Sequence, residues 1–362
     1  MKKIFILLKF ILKSIQHRFL ILGDVIKYSL EAKANLRVNP QPKLSKLRKN
    51  EIKNYYSSIG HKINNTNSHR FYVGVYGEFS KYFIPKTFFY SRLESVLNRH
   101  EFNVLQDKNL LDRLLKNVKQ PVCIIKNING FFYSESSLLS EEEAIKKINK
   151  YDKFIIKPSI ESGGGKNIKI IQKDIYSKLD DVEYFKSLFN EYKKDYVIQE
   201  VLEQNKFMAK LNPSSINTIR ICSYLRLNEV VILSAILRIG QKGMDVDNSS
   251  AGGVAVTIES SGRLQKKAYN KFNFYEEKLI NNVSLDKFCV PNYDNVKKKV
   301  QELHLQMPYF RVISWDIAID KNDEPVLLEM NVFGQGIDQQ AHAGPFFAGY
   351  TDEILAIYKS SK

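Results

Sequence analysis

Short apolar segments alternate with polar turns from residue 122 to residue 332, and this pattern predicts a series of β-strands. The predicted strands lie at 122–125, 131–133, 154–157, 168–171, 196–202, 218–225, 230–239, 253–258, 311–319 and 325–332. Few helices separate these strands. The clearest are one that begins at Ser140 and another that covers 181–193. Because most of these strands follow one another through turns, they favour a largely antiparallel sheet and an α+β fold class.

The first 120 residues have a different pattern, which predicts more helix than strand. Residues 1–35 indicate one or two basic helices, prolines break them, and 43–58 indicate a further basic helix. Aromatic residues are frequent between 71 and 89, which favours the core of a small domain over a nucleic-acid surface. We therefore expect a basic helical extension over 1–58 and an α+β or helical region over 59–120.

Positive charge is concentrated in the N-terminal part of the chain. The formal net charge is +16, and residues 1–53 hold 13 Lys and Arg against three Asp and Glu, a net of +10. Lys9 and Lys13 interrupt the first apolar segment, so it is too short to span a bilayer. Residues 1–35 instead suit a cationic amphipathic helix that either lies on an anionic membrane surface or packs on the protein itself. The expected location is the cytoplasm, including its periphery at the inner face of the membrane.

The three cysteines are Cys123, Cys222 and Cys289, and their wide spacing predicts neither a disulfide framework nor a zinc site. They are expected to be small buried hydrophobic residues in a reducing cytosol. The sequence also has no recognisable nucleic-acid-binding motif, so no nucleic-acid partner is expected despite the positive charge.

Two neighbouring strands near the C-terminus carry acidic residues within apolar segments. Asp316 lies in the first, and Glu329 and Asn331 lie in the second, after a tight turn. Because side chains alternate between the two faces of a strand, Glu329 and Asn331 point the same way, and a hairpin brings Asp316 opposite them. Oxygen ligands of this kind suit Mg²⁺, and the alternative is a hairpin with surface acids.

A glycine-rich loop joins the predicted strands at 154–157 and 168–171. Lys157 ends the first of these strands. The loop that follows contains Gly163, Gly164, Gly165 and Lys166. Consecutive glycines allow backbone amides to approach anionic oxygens closely, and a lysine at the strand end can reach the same group. The residue order is not that of a P-loop, so a simple hairpin turn is the alternative.

Arg220 and Arg238 each lie within an apolar strand, where an isolated guanidinium group is costly to bury. Each therefore needs an anionic partner, and guanidinium groups bind phosphate or carboxylate through two parallel hydrogen bonds. We expect Arg220 to bind a phosphate, and Arg238 an acceptor carboxylate or acyl-phosphate. A structural ion pair with a buried acid is the alternative for both.

Taken in order along the chain, these features resemble the ATP-grasp superfamily. The order begins with Lys108 at the start of a helix, continues through Lys157, the glycine-rich loop and 199–202, and ends with the acidic hairpin. The Asn-Pro-Ser and Asn-Thr-Ile-Arg sequences between 212 and 220 further resemble the sugar-transfer-associated branch. Asn167 stands where the loop of that family usually has a glycine.

The resemblance implies a fold in which two α+β subdomains, 121–200 and 201–362, hold ATP between them. It implies that Lys108 and Lys157 bind the α- and β-phosphates, under a flap formed by the glycine-rich loop. The implied adenine and ribose contacts are Gln199, Glu200, Val201, Leu202 and Glu203. The implied Mg²⁺ ligands are Asp316, Glu329 and Asn331. Substrate contacts are expected at Asn217, Asp247 and Asn248, the last two of which alternatively cap a loop.

The implied function is an Mg²⁺- and ATP-dependent carboxylate–amine ligase that works through an acyl-phosphate. The branch resemblance suggests a sugar acid or amino acid in surface-polysaccharide assembly, with a small or glycolipid-linked acceptor and an amine as partners. One alternative is a sugar kinase that uses the same site. The other is a non-catalytic, membrane-associated ATP-binding protein.

Overall fold

The computed structural model describes residues 2–160, 165, 167–176, 181–241, 243, 252–270 and 279–362. The helices of its first third are α1 (Lys2–Val38), α2 (Lys46–Ser58), α3 (Asn67–Tyr76), α4 (Lys86–Phe88), α5 (Glu94–Leu97) and α6 (Leu111–Leu114), with a π-helical turn at Phe89–Leu93 and a 3₁₀ turn at His100–Gln106. All of 59–120 is described; short helices alternate there with turns and irregular segments, and two isolated bridges, at Asn98 and Lys119, are its only β-structure. The strands that we allowed for in this region are therefore absent.

The aromatic segment between 71 and 89 forms a core, as its composition predicts. Tyr56, Phe83 and Phe88 are fully buried. The hydroxyl group of Tyr56 donates a hydrogen bond to the carbonyl oxygen of Phe83 (2.8 Å). The ring of Tyr358 meets Phe88 edge-on with 4.9 Å between ring centroids, so the C-terminal helix closes this core.

A six-stranded sheet follows, with helices on one face. Its elements in chain order are β1 (Cys123–Ile128), β2 (Phe131–Ser134), β3 (Ser137–Leu139), α7 (Glu141–Ile148), β4 (Lys153–Pro158), β5 (Lys169–Gln172), α8 (Lys173–Tyr176), α9 (Asp181–Tyr192) and β6 (Tyr196–Glu200). The strand order is β3-β2-β1-β6-β4-β5, and all neighbours are antiparallel. Phe154 and Ile156 of β4 pack into the core under α7 and α9, so the intervening Ile155 and Lys157 face the opposite side.

Helix α7 begins where the sequence predicts. The hydroxyl oxygen of Ser140 accepts the backbone N–H of Glu143 (3.1 Å), and the carboxylate of Glu143 accepts the backbone N–H of Ser140 (2.8 Å). This reciprocal capping box satisfies backbone donors that the first turn of a helix otherwise leaves unpaired.

The second half of the chain forms a larger unit. Its elements are α10 (Lys206–Ala209), β7 (Thr218–Leu225), β8 (Val230–Ile239), β9 (Val254–Ile258), β10 (Leu264–Tyr269), β11 (Leu279–Ile280), β12 (Val283–Ser284), α11 (Tyr293–Leu305), β13 (Val312–Ile319), β14 (Pro325–Asn331), α12 (Gln340–Ala343) and α13 (Thr351–Ser360). The main sheet has the order β10-β9-β8-β7-β13-β14, again with antiparallel neighbours throughout.

Helix α11 packs on one face of this second sheet, around the fully buried Trp315. The indole N–H of Trp315 donates to the hydroxyl oxygen of Ser223 (2.8 Å), which also lies 2.7 Å from the imidazole Nδ1 of His304 on α11. Because neighbouring residues of a strand point to opposite faces, burial of Trp315 beneath α11 directs Asp316 to the other face.

These observations confirm the predicted α+β class and its antiparallel sheets, although β3, β10, β11 and β12 were not predicted. Of the cysteines, Cys222 is buried and Cys123 is partly buried, but Cys289 is exposed, so the prediction of burial is wrong for Cys289. Within the described part of the chain, no helix combines the length and apolarity that a membrane span requires.

Candidate functional site

A cavity of about 640 Å³ lies between the two sheets, a size typical of sites for small ligands. One wall comes from β4, β5 and the end of β6, and the other from β7, β8, β13 and β14. The predicted site residues that line it are Lys108, Lys157, Gly165, Gln199, Glu200, Val201, Leu202, Glu203, Arg220, Arg238, Asp316, Glu329 and Asn331. The fold thus gathers residues that are up to 223 positions apart in sequence, from Lys108 to Asn331.

Two lysines lie at the charged end of the cavity. Lys157 is buried at the end of β4, and the backbone N–H of Lys108 donates to the carbonyl oxygen of Ser159 just beyond it (3.1 Å). Burial, with the nearby positive charge of Lys108, lowers the pKa of Lys157 to about 8, although Glu329 and Asp316 act in the opposite direction. An anion bound here would relieve the repulsion between the two ammonium groups.

The acidic hairpin forms as predicted, with one irregularity. Asp316 of β13 lies opposite Glu329 of β14, but the next pair is Ile317 with Leu327, so Leu328 is an extra residue in a β-bulge. Leu328 and Glu329 both line the cavity, whereas successive residues of a regular strand would point to opposite faces. The bulge therefore adds an apolar surface beside the carboxylate.

Asp316 is the buried partner of both arginines. Arg220 lies directly opposite Asp316 in the register of β7 and β13, and it donates to the carboxylate through Nε (2.8 Å) and Nη2 (2.7 Å). Arg238 Nη2 lies 3.2 Å from Oδ2 of the same carboxylate, and Arg238 Nε donates to the hydroxyl oxygen of Thr218 (2.9 Å). The structural ion pair that the sequence left open is therefore present, while both arginines also line the cavity.

These contacts determine the protonation of Asp316. Burial alone would raise the pKa of the carboxyl group, but the guanidinium groups of Arg220 and Arg238 outweigh it, and the pKa falls to about 2. The amide of Asn331 also donates to Asp316 Oδ2 (3.3 Å). Asp316 is consequently ionised at neutral pH.

The oxygen donors fit Mg²⁺ only as part of a larger coordination set. Among the described residues, no group of three or more His, Cys, Asp or Glu side chains could hold a metal ion. Asp316, Glu329 and Asn331 offer two carboxylates and one amide oxygen, and Glu329 Oε1 lies 3.0 Å from Lys108 Nζ. Mg²⁺ is commonly bound through one or two carboxylates, with water and phosphate oxygens completing the octahedron. The donor set is therefore compatible with a metal that arrives together with a phosphate ligand.

The end of β6 and the segment after it line another part of the cavity. The backbone N–H of Glu200 donates to the carbonyl oxygen of Val122 (2.9 Å), which fixes the start of this segment. The side-chain Oε1 of Gln199 is buried and has no hydrogen-bond partner among the described residues. A buried acceptor of this kind is costly unless a ligand or water satisfies it. Glu203 lies at the rim, where its exposed carboxylate pairs with Lys321 (2.9 Å).

Asn217 supports the loop before β7 and does not line the cavity. Its side chain is fully buried, and its amide nitrogen donates to Gln204 Oε1 (3.0 Å), the carbonyl oxygen of Met208 (2.9 Å) and that of Asn212 (3.1 Å). The substrate contact expected at Asn217 stays a prediction; the amide nitrogen of this residue holds the backbone of the Asn-Pro-Ser segment, while its buried Oδ1 has no hydrogen-bond partner among the described residues.

The glycine-rich loop is described only in part. Gly165 lines the cavity with a φ of 69°. Asn167, which replaces the glycine usual in the family, has a φ of 55°, a left-handed conformation that asparagine adopts more readily than most residues. The predicted site residues Gly163, Gly164, Lys166, Asp247 and Asn248 lie outside the described residues.

Several residues that line the cavity were not predicted from the sequence. These are Lys153, Ile155, Ile168, Ile170, Ser214, Thr218, Leu328 and Gly334, among others. Ile155 and Thr218 could have been predicted, because each lies two positions before a predicted site residue and so shares its face of the strand. Gly334 could not have been predicted, since only the fold of the chain beyond β14 brings it to the cavity.

Two α+β units that enclose one cavity, with lysines on one side and an acidic hairpin on the other, are the arrangement expected of the ATP-grasp class. The model of the sugar-transfer associated ATP-grasp family matches residues 89–345, and the chain belongs to that family. This match confirms the predicted family and its fold. A comparison with curated proteins found no match.

Solved structures of two ligases and of a carboxylase domain resemble the chain at low identity. The ATP-grasp ligase PsnB, complexed with a phosphomimetic variant of its minimal precursor, Mg and ADP, is 13% identical over 72% of this chain, with a TM-score of 0.41. D-Alanine–D-alanine ligase from Bacillus anthracis is 14% identical over 72% of this chain and 68% of its own, with a TM-score of 0.41. The biotin carboxylase domain of Hydrogenobacter thermophilus 2-oxoglutarate carboxylase is 13% identical over 70% of this chain, also with a TM-score of 0.41. The chain spans 62% of the PsnB chain and 46% of the carboxylase chain.

Proposed function

We propose that the protein is an Mg²⁺- and ATP-dependent carboxylate–amine ligase that works through an acyl-phosphate. The observation that carries this proposal is the composition of one cavity. Lys108, Lys157, Arg220 and Arg238 surround the carboxylates of Asp316 and Glu329, so cationic side chains are in excess where a polyphosphate would lie. Membership of the ATP-grasp family gives that polyphosphate its identity as ATP.

The adenine ring would occupy the end of the cavity beside the segment after β6. Ile155 and Ile170 from one sheet and Leu328 from the other offer apolar surfaces to the two faces of a planar ring. The unpaired buried Oε1 of Gln199 offers an acceptor to an exocyclic amino group. Glu203, at the rim, is within the lining of the cavity where the ribose would emerge.

The phosphates would lie at the charged end. The ammonium groups of Lys108 and Lys157 would bind the α- and β-phosphates, with Gly165 above them. Oxygen atoms of Asp316, Glu329 and Asn331 would hold Mg²⁺, which neutralises charge on the β- and γ-phosphates when it is bound. Asp316 is already ionised because of its two arginines, so metal binding there requires no loss of a proton.

In the first chemical step, a substrate carboxylate oxygen attacks the γ-phosphorus, the bond to the bridging oxygen breaks, and ADP leaves. In the second, an amine attacks the carbonyl carbon of the acyl-phosphate, phosphate leaves, and the amine loses one proton to phosphate or solvent. Arg220 and Arg238 would stabilise the charge on the transferred phosphoryl group, and their contacts with Asp316 fix them in place beforehand. The described residues lining the cavity include neither histidine nor cysteine, which agrees with a reaction that needs little acid–base catalysis.

The last part of the proposal is the chemical identity of the acceptor. The family description, sugar-transfer associated, supports a sugar acid or an amino acid used in surface-polysaccharide assembly, either free or linked to a glycolipid. The cationic N-terminal part of the chain supports a peripheral location at the inner face of a membrane.

The test is a screen of ATP turnover against pooled sugar acids and amino acids. We expect release of inorganic phosphate only when a carboxylate and an amine are both present. Glu329→Gln should lose this turnover and bind ADP more weakly in the presence of Mg²⁺. Glu324→Gln is the matched control, because Glu324 is an exposed acid in the turn of the same hairpin and does not line the cavity. Phosphate retained on a sugar hydroxyl would contradict the ligase proposal in favour of a kinase.

A further inference from the structure

Helix α1 carries a row of exposed apolar side chains, which we call the outer stripe. Its members are Ile15, Phe19, Leu22, Ile26 and Leu30, each 45–69% exposed. Their spacing of three or four residues places them on one side of the helix. Large apolar side chains that are scattered over a surface need no explanation, but a continuous row along one helix usually marks an interaction surface.

The opposite side of α1 is fastened to the protein. The ring of Tyr28 stacks on Tyr90 with 4.5 Å between centroids. The carboxylate of Glu31 accepts a hydrogen bond from Lys86 Nζ (2.6 Å), which also bonds to Asp338 (2.7 Å). The part of α1 around these residues is therefore held in one orientation, and the outer stripe faces away from the surface to which the helix is fixed.

The charges around the stripe indicate what covers it. Arg18, Lys27, Lys33 and Arg37 of α1 are all exposed. Lys33 and Arg37 follow Leu30 by three and seven residues, so they continue the stripe at its C-terminal end. Glu31, one of the two acids of the helix, is already paired with Lys86. A second copy of this helix would bring the same positive charges against these, which disfavours self-association.

We propose that the outer stripe lies flat on an anionic phospholipid bilayer, with its apolar side chains among the acyl chains and its basic residues at the headgroups. Helices that combine an apolar face with flanking lysine and arginine bind bilayers in this way. The helix thereby presents the rest of the molecule at the membrane surface. This inference does not depend on the reaction that the cavity catalyses.

The sequence alone suggested either membrane contact or packing on the protein, and the proposal assigns one side of α1 to each. The inner side, with Tyr28 and Glu31, packs on the protein, and the outer stripe is left for the bilayer. We therefore expect the apolar side of α1, and not only its basic residues, to contact the membrane.

The test is flotation of the full chain with vesicles of phosphatidylglycerol and phosphatidylcholine, compared with vesicles of phosphatidylcholine alone. The wild-type protein should float with the anionic vesicles only. Leu22→Glu with Ile26→Glu should lower the bound fraction at least about tenfold, because both changes place charge on the apolar surface. Leu227→Glu is the matched control, since Leu227 is 94% exposed in the turn after β7, and this variant should float like the wild type.

A second double variant, Lys33→Glu with Arg37→Glu, separates the contribution of charge to vesicle binding from that of the apolar side chains. It should reduce flotation with anionic vesicles and leave circular dichroism and ADP binding unchanged. Equal flotation of the stripe variant and the wild type would overturn the proposal. So would sedimentation analysis that finds a wild-type dimer lost in the stripe variant, because the stripe would then be an interface between copies.

Discussion

The buried ammonium group of Lys157 makes the proposed phosphate contact dependent on pH. Its pKa is lowered to about 8 by burial and by the charge of Lys108. A bound phosphate favours the charged form of the lysine and raises this pKa again. Phosphate binding and proton binding are therefore linked, and the site should take up protons when nucleotide binds near pH 8.

The size of the effect follows from the two protonation states. With a pKa of about 8, Lys157 is about nine-tenths charged at pH 7 and about one-tenth charged at pH 9. If only the charged form binds phosphate, the affinity for ADP with Mg²⁺ should fall about tenfold between these pH values, or roughly 1.4 kcal/mol. Isothermal titration calorimetry at pH 7, 8 and 9 measures this change directly.

The same calorimetry in two buffers with different heats of ionisation counts the protons taken up. Lys157→Met should bind ADP more weakly and should lose the tenfold pH dependence, which separates this lysine from other groups that titrate in the range. An affinity of the wild type that stays constant from pH 7 to pH 9 would refute the reasoning. A pH dependence that survives in Lys157→Met would show that another group is responsible.

Two further predictions concern buried carboxyl groups. Asp316→Asn leaves the guanidinium groups of Arg220 and Arg238 without a counter-charge. Urea denaturation should therefore show that the free energy of unfolding falls by about 3–5 kcal/mol. A decrease near zero would contradict the structural role of the ion pairs. Burial raises the pKa of Glu94 to about 8, although the N–H groups of Gly334 and Gln335 oppose it. The folded protein then holds a proton that the unfolded chain releases above about pH 4.5, so this group's contribution to stability falls between about pH 5 and pH 8 and is constant above. Glu94→Gln should remove that part of the pH dependence, and identical pH profiles would contradict the assignment.

Local sequence patterns were sufficient to predict most of the strands and the shared face of Glu329 and Asn331. The two-residue period of a strand fixes which side chains lie together, and it needs no knowledge of the rest of the fold. A single hairpin is then enough to bring Asp316 opposite Glu329. The face that carries the three oxygen donors could therefore be predicted, apart from the bulge at Leu328, which shifts the register by one residue.

The partner of the two arginines depended on contacts between distant segments. Arg220 and Asp316 are 96 residues apart and meet only because β7 and β13 pair in one register. The sequence showed that each guanidinium needs an anion, but it could not show that one carboxylate serves both. The same limit applies to Glu94, whose burial beside Gly334 depends on how the helical region packs on the second sheet.

The helical region was also harder to predict, for a different reason. Segments between 59 and 120 are short, and their aromatic residues suit strands as well as helices. Their conformation is set by packing around residues such as Tyr56 and Phe88, which bury their rings against distant parts of the chain. Tertiary contacts of this kind override local preference.

The central claim is that a substrate carboxylate takes the γ-phosphoryl group of ATP before an amine displaces it. The most direct measurement uses the carboxylate substrate labelled with ¹⁸O in both oxygens and follows the label by mass spectrometry. The account predicts that the released inorganic phosphate carries one ¹⁸O atom from the carboxylate, and that the amide product keeps the other. Unlabelled phosphate, or a product that retains the phosphoryl group, would contradict it.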